Sequence, residues 1–473
     1  MTTALAVDLG SASGRILAGT LEDGRIAITE IHRFKHEAQR QDGHLVWDVD
    51  TMWDEIVQGL RAAVDQFPDA SSVSVDTWGV DFVPLDANDQ PVGPARAYRD
   101  ERTTRTLDAF RERVSDRDFF SLTGIAPATI NTANQLFALR AEEPELAEKI
   151  QTILLLPDFF AWKLSGVKGW SRSIASSTGL CQPGSGAWSD EVFRLLEIPR
   201  TWVGSLESDL TVVGPCTVPG LEHLTVVRGG AHDTACAVHA LPIDEGVDAW
   251  WLSCGSWSVL GAMEDHALTT DAAFELGMTN ESRTDGGVRP LFNITGMWIL
   301  QELQREWERQ GRPTDTDELV AAARQCPTPN ALINPDDPRF AEPGEMVEKI
   351  NAALSEGNEG AAAVLPASDA EYVRLVIESF AARYARGIDD LAAITGRRPE
   401  QLNIVGGGSR NHLLCDLTAT AANMRVVAGP VEASILGSLL AQLEVLGHVD
   451  AASRPGIIAA TAHTHVHEPH VDK

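Results

Sequence analysis

The feature that most restricts the fold is an internal echo. Near the start, Ala4–Arg15 reads as an apolar strand and a tight turn of small residues, Gly10-Ser11-Ala12-Ser13-Gly14; the apolar run Ile16-Leu17-Ala18 follows. Midway, Ala249–Gly261 repeats the plan, with Gly255, Ser256 and Ser258 in the places of Gly10, Ser11 and Ser13. Each copy leads to a helix, a strand and a turn. In the first, Asp50 is the expected cap of a helix whose apolar residues Trp53, Ile56, Val57, Leu60, Val64 and Phe67 recur at helical spacing. A strand at Val73–Val75 and a turn at Trp78-Gly79 follow. In the second, Val373, Val376, Ile377, Phe380, Tyr384, Ile388 and Leu391 mark the helix, Leu402–Val405 the strand and Gly406-Gly407-Gly408 the turn. Matching plans predict a duplicated α/β domain, with ligands bound between the copies and beyond the strand ends. The expected division is 1–245, 246–450 and a tail, 451–473, holding His463, His465, His467 and His470. Such a tail can bind metal, but a loose, solvated segment is the simpler expectation.

Charge excludes some functions. Against 68 Asp and Glu stand 38 Lys and Arg, a net charge of −30. Nucleic acid and anionic membranes attract basic surfaces, so neither is an expected partner. The six cysteines show no paired metal-ligand spacing, which suits a reduced, cytoplasmic protein. The first residues have no basic, apolar leader pattern, and no apolar run approaches the roughly 18 residues of a membrane span. Whether the chain is a monomer or a dimer is open at this level.

Several nucleotide and metal motifs are missing: no Lys follows a Gly as in a P-loop, no G-x-G-x-x-G is completed and there is no H-E-x-x-H. Five other stretches can carry chemistry. Asp8 stands at a strand end before the small turn and Arg15. A carboxylate there can hold Mg²⁺ through water, and the turn lets backbone N–H groups approach phosphate; an ordinary hairpin fits as well. In Gly229-Gly230-Ala231-His232-Asp233-Thr234, Asp233 reads as a helix cap, and equally as an ionised carboxylate able to take a hydroxyl proton. His232 can hydrogen-bond a polar ligand. In Asp76-Thr77-Trp78-Gly79-Val80-Asp81-Phe82, the Trp78 face and the Asp76 and Asp81 carboxylates suit a sugar, against the plainer reading of a strand with a core Trp. The charged loop Tyr98–Thr103 fits either a ligand site or an ion-pair turn. Finally, Gly406-Gly407-Gly408 after a buried strand lets backbone lie close to a flat or phosphorylated ligand.

Taken in order, DLG-x4-R at Asp8–Arg15, GG-x-HD-x-A at Gly229–Ala235, the mid-chain Gly-Ser turn and GGGS-x-N at Gly406–Asn411 resemble the FGGY carbohydrate kinases from Ala4 to about residue 445. Within that family, the stretches at 76–82, 98–103, 293–301, 332–340 and 429–434 are similar to the rhamnulokinase branch. The resemblance implies two ribonuclease-H-like domains of the actin/Hsp70/hexokinase-like kind, with an active-site cleft between them. It implies ATP-dependent phosphorylation of L-rhamnulose at the C1 hydroxyl, with Mg²⁺. Carried over by position, Asp233 is the proton acceptor, with His232 and Thr234 beside it at the sugar. Gly79 and Asn293, with Trp78 and Asp81, complete the ketose site. Ser11, Ala12, Ser13, Gly14 and Arg15 meet ATP phosphates, and Ser256, Gln301 and Gly407 are further ATP contacts. Asp8 lies near the metal. Ser256 stands where the family pattern has Thr and keeps its hydroxyl. Kinases for L-fuculose or L-xylulose are the alternatives, then a non-catalytic sugar sensor. A chaperone ATPase would need a further substrate domain.

Overall fold

The computed structural model describes residues 2–184, 186–244, 246–356 and 364–470. It contains two compact units. The first takes Met1–Leu241, Met263–Leu291 and Ala433–Thr461; the second takes Pro242–Ala262, Phe292–Glu432 and Ala462–Lys473. A single cut near residue 245 therefore differs from the observed division, because two segments from the second half of the sequence pack in the first unit.

In the first unit, β1 (Thr2–Leu9), β2 (Ser13–Glu22) and β3 (Arg25–Lys35) form an antiparallel meander, joined through α1 (Val49–Gln66) to β4 (Ala70–Thr77). Later come β5 (Thr211–Pro215), β6 (Thr225–Arg228) and the short α2 (Asp233–His239). The sheet order is β5-β6-β4-β1-β2-β3, with β4 parallel to both β1 and β6. The cap of α1 is Asp48, not Asp50: its Oδ1 accepts from the Thr51 N–H at 2.9 Å, and Asp50 sits in the first turn, where a carboxylate favours the helix dipole. Helical spacing fixes the buried stripe, Met52, Ile56, Leu60 and Ala63, which packs with β1 and β4 residues Leu5, Val7, Val73 and Val75 in one core.

The second unit repeats this plan. Here β7 (Ala249–Cys254) pairs antiparallel with β8 (Trp257–Gly261). The next hairpin, β9 (Thr279–Ser282) with β10 (Val288–Thr295), belongs to the first unit as far as Leu291. After α3 (Trp298–Arg309) and the long α4 (Asp369–Thr395), β11 (Gln401–Val405) lies parallel to β7, and α5 (His412–Ala422) leads to β12 (Arg425–Ala428), parallel to β11. The last elements are α6 (Ala433–Val445), in the first unit, and β13 (His465–His467). The order β8-β7-β11-β12-β13 reproduces β2-β1-β4-β6-β5, with the same parallel and antiparallel pairs. The duplication expected from the sequence is thus a duplication of topology.

The tail departs from expectation. Val466 pairs with Val427, and His467 is buried with its Nδ1 2.6 Å from Asp416 and its Nε2 3.5 Å from His412 Nδ1. These contacts make the histidine-rich segment an edge strand rather than a loose end; residues 471–473 lie outside the described ones. Among the described residues, no helix is long and apolar enough to cross a membrane.

Candidate active site

The ends of β1 and β4 in the first unit gather charge. Asp8 faces Arg15 across the antiparallel ladder and Asp76 across the parallel one. Arg15 donates to Asp8 Oδ2 through Nε at 3.0 Å and Nη2 at 2.6 Å. Asp76 is fully buried, and among the described residues no donor stands in full hydrogen-bonding geometry to either of its oxygens, the Ser438 hydroxyl being the neighbour that favours its charged form. Burial pushes the Asp76 carboxyl well above its ordinary range, and the charges of Asp8 and Asp233 push it further. Burial also raises Asp8, with Arg15 opposing it. Asp233, at the start of α2, is the carboxylate of this group that reaches solvent: 34% of its side chain is exposed, against 9% for Asp8.

Asp233 is not the cap of its helix. His232 occupies that position, and Asp233 Oδ1 accepts from the backbone N–H and hydroxyl of Thr234 at 2.5 and 3.1 Å. The turn before α2 needs glycine at Gly230, where φ is +97° and a Cβ would stand 2.9 Å from both Cys236 Sγ and Thr284 Oγ1. His232 Nε2 lies 3.4 Å from Asp233 Oδ1, and a Cβ on Gly79 would stand 3.3 Å from the same nitrogen. Gly79, His232, Asp233 and Thr234 are therefore one cluster, as the sequence suggested. Ser177 borders it, 3.2 Å from that Cβ position, and had no sequence signal.

Other expected residues take different roles. Asp81 does not face open space: its Oδ2 accepts from Trp47 Nε1 at 2.6 Å and Trp78 Nε1 at 2.9 Å, and Oδ1 from Gln135 at 3.3 Å. It fixes two indoles instead of accepting sugar hydroxyls, and burial raises its carboxyl to about 6. Trp78 is itself buried, its ring 4.8 Å from Trp47 and stacked on His36, so its face is spent on the core rather than offered to a sugar ring. Between them Val80 adopts φ +73°, a left-handed conformation that a β-branched residue strongly disfavours. The Thr132 hydroxyl and the Gln135 amide hold it there by donating to its carbonyl at 2.7 and 3.1 Å. Gly14 lies inside β2, paired with Leu9, and leaves room for the Phe34 ring, which a Cβ would strike at 2.2 Å; that is a packing role rather than a phosphate contact. Ser11 and Ala12 are exposed at the turn tip, Ser13 is half-buried, and Gly10 N–H closes the turn onto the Ser13 carbonyl at 3.0 Å. The loop Tyr98–Thr103 is an ion-pair turn: buried Asp100 accepts from Leu45 N–H and Arg102 N–H.

In the second unit, Ser256 donates to Gln301 Oε1 at 2.9 Å, and Gln301 and Gly407 line a cavity of about 190 Å³. Its apolar walls are Leu300, Leu319, Val320 and Val373. The glycines divide the work. A Cβ on Gly408 would stand 2.2 Å from Cys254 Sγ, so Gly408 lets the turn lie against β7; one on Gly407 would meet nothing within 4 Å, so Gly407 faces the open side. Asn293 is exposed on the part of β10 that belongs to this unit.

Mg²⁺ takes oxygen ligands and keeps much of its water. Among the described residues, no group of three side chains is placed to hold a metal ion directly. Asp8, facing Asp76 across the ladder and still 9% exposed, nonetheless supplies hard carboxylate oxygen for a hydrated cation, so the residues fit water-mediated binding.

The sequence pattern of the FGGY family of carbohydrate kinases matches over both halves, its N-terminal domain at residues 3–239 and its C-terminal domain at 251–444. Similar solved structures include glycerol kinase from Plasmodium falciparum with ADP, at 15% identity and a TM-score of 0.81, covering 100% of this chain and 95% of that one. Xylulose kinase from Rhodospirillum rubrum is 18% identical, with a TM-score of 0.80 over 99% and 94%. Ligand-bound xylulose kinase from Lactobacillus acidophilus is 15% identical, with the same TM-score and coverage.

Proposed function

The chain belongs to the FGGY family of carbohydrate kinases, and we propose that it phosphorylates L-rhamnulose at the C1 hydroxyl, with ATP as donor. The observation that carries the chemical part is Asp233: a half-exposed carboxylate at a helix start, beside two carboxyls that burial pushes toward their protonated forms.

Asp233 accepts the C1 hydroxyl proton as that oxygen bonds to the γ-phosphorus of ATP, while the bond to the ADP oxygen breaks. Products are the sugar 1-phosphate, ADP and a proton. The Thr234 hydrogen bonds hold Asp233 Oδ1 in place. Positioning and electrostatics supply most of the catalysis in such transfers. Asp8, with Asp76 behind it, would hold Mg²⁺ through water; when bound, the ion neutralises charge on the phosphates. In the second unit, Ser256, Gln301 and Gly407, with the apolar walls of the 190 Å³ cavity, would take the nucleoside part of ATP. The choice of L-rhamnulose over other ketoses rests on the motif resemblance at 76–82 and 98–103.

The test is an ADP-release assay across L-rhamnulose, L-fuculose, L-xylulose, D-xylulose, L-ribulose and glycerol. The expected result is the highest kcat/KM with L-rhamnulose. Preference for another ketose would overturn the sugar while leaving the base and ATP assignments. Folded protein that binds ATP but turns over no sugar would favour a non-catalytic sensor.

A further inference from the structure

Arg289 is completely buried, on the part of β10 that packs in the first unit. A guanidinium away from water needs partners. Its Nη2 finds two: Glu281 Oε2 at 2.5 Å, across the β9–β10 ladder, and His232 Nδ1 at 2.7 Å. Its Nε donates to the Ser282 carbonyl at 3.0 Å. The same hairpin is tied down around His232: Ser282 N–H donates to Ser176 Oγ at 2.8 Å, and the Thr284 hydroxyl donates to the Ala235 carbonyl at 3.2 Å. Glu281 carries its charge well: burial would raise its carboxyl, but the Arg289 guanidinium beside it holds it below the ordinary range.

A guanidinium only donates. His232 Nδ1 must therefore present its lone pair to Arg289, which leaves the ring proton on Nε2. Glu281 alone, 3.2 Å from Nδ1, would demand the opposite by accepting a proton from that nitrogen. We infer that Arg289, clamped by Glu281, is a positioning residue that holds His232 with its proton on Nε2, the edge facing Asp233 and Gly79. In that state His232 offers a donor to a ligand oxygen and leaves Asp233 free to accept. The other tautomer would turn a lone pair toward the Asp233 carboxylate and remove the donor. Both clamp residues lie in the second half of the sequence, yet serve a site built from the first.

The kinetic arm of the test rests on the kinase reading; the spectroscopic arm does not. In protein labelled with ¹⁵N-histidine, ring correlation spectra distinguish the tautomers, and His232→Asn identifies the signals of His232. Wild type is expected to show Nε2–H at neutral pH. In Arg289→Met, Glu281 captures the ring, the proton moves to Nδ1, and kcat/KM for the preferred ketose falls about 100-fold, the upper end of what losing a functional histidine's hydrogen-bond partner costs elsewhere. In Arg289→Met/Glu281→Gln, the new amide can donate to Nδ1, so Nε2–H returns with about tenfold recovery of rate. The double variant buries no charge, so it and the wild-type spectrum decide the matter even where the single variant fails to fold. An Nδ1–H or doubly protonated ring in wild type overturns the inference. So does Nε2–H persisting in Arg289→Met, or a double variant that regains the tautomer without any rate. Wild type inactive on every sugar would remove the kinase reading and leave the tautomer result standing.

Discussion

The two units share a sheet plan but place opposite chemistry on the same rung. In the first, Asp8 on β1 faces Arg15 on β2 and Asp76 on β4. In the second, Ser253 on β7 faces Val259 on β8 and Val405 on β11. The ladder geometry is kept and the charge is not. Burial follows the same division: among the described residues, the carboxyls raised above their ordinary range, Asp8, Asp76, Asp81, Asp158 and Asp209, all belong to the first unit. Those shifted in the second, Asp336, Asp337 and Asp416, are all lowered, by partners such as Arg383, Arg339 and His467. One copy of the fold concentrates charge at its strand ends, and the other offers glycine turns and an apolar slot. Topology survives duplication because it rests on the backbone ladder and apolar periodicity; side chains at strand ends are free to diverge.

The sharpest way to break this contrast is Asp233→Asn. If charge in the first unit performs the transfer, the variant folds, binds ATP and loses about 10²–10⁴ in kcat, roughly 3–5.5 kcal/mol of barrier. A kcat near wild type would remove Asp233 from its role.

Next in size is a pH effect confined to the first unit. Asp81 has its carboxyl raised from 3.8 to about 6. The folded state therefore holds a proton that the unfolded chain has lost, and stability falls as pH rises through that window, by up to about 3 kcal/mol. The expected outcome is that denaturant midpoints measured from pH 4 to 7 decline more steeply in wild type than in Asp81→Asn. Parallel declines would mean that Asp81 does not titrate in this range.

The smallest expected effects separate the glycines of the second unit. Gly408→Ala forces a Cβ against Cys254 and is expected to cost about 1–3 kcal/mol in thermal or denaturant stability. Gly407→Ala has free space and is expected to change stability by less than about 0.5 kcal/mol while weakening ATP binding. Equal stability in the two variants, or unchanged nucleotide affinity in Gly407→Ala, would show that the turn does not divide its work in this way.

Much of the fold was legible because it is local. Apolar spacing located α1 and α4, and Gly-rich turns after apolar runs marked β1, β7 and β11. The clustering of Gly79, His232, Asp233 and Thr234 followed from motifs whose order matched a family. Contacts distant in sequence were not legible. Asp81 looked like a sugar ligand because its partner Trp47 lies 34 residues earlier, and a strained Val80 turns the carboxylate toward it. Arg289 and Glu281 were missed, though a faint signal exists: a lone Arg inside the apolar run Val288-Arg289-Pro290-Leu291-Phe292 must be buried and so must be paired. The tail misled because a His-rich composition conceals the alternation of an edge strand.

The interleaving of the first unit has a consequence for how the protein is made. Helix α6 covers β1 and β2 through Ile435, Leu436, Leu439 and Leu440, packed with Ala4, Ala6 and Leu17. At Gly437 it approaches α2 so closely that a Cβ would stand 1.8 Å from the Cys236 carbonyl oxygen. A ribosome that has delivered the whole of β1–β6 and α2 has therefore not yet delivered the wall against which α2 is seated. Until the stretch around residues 433–445 emerges, one apolar face of that sheet lies bare, open to chaperones or to misassembly. The helix that presents Asp233 gains its lasting position only after that stretch has been made.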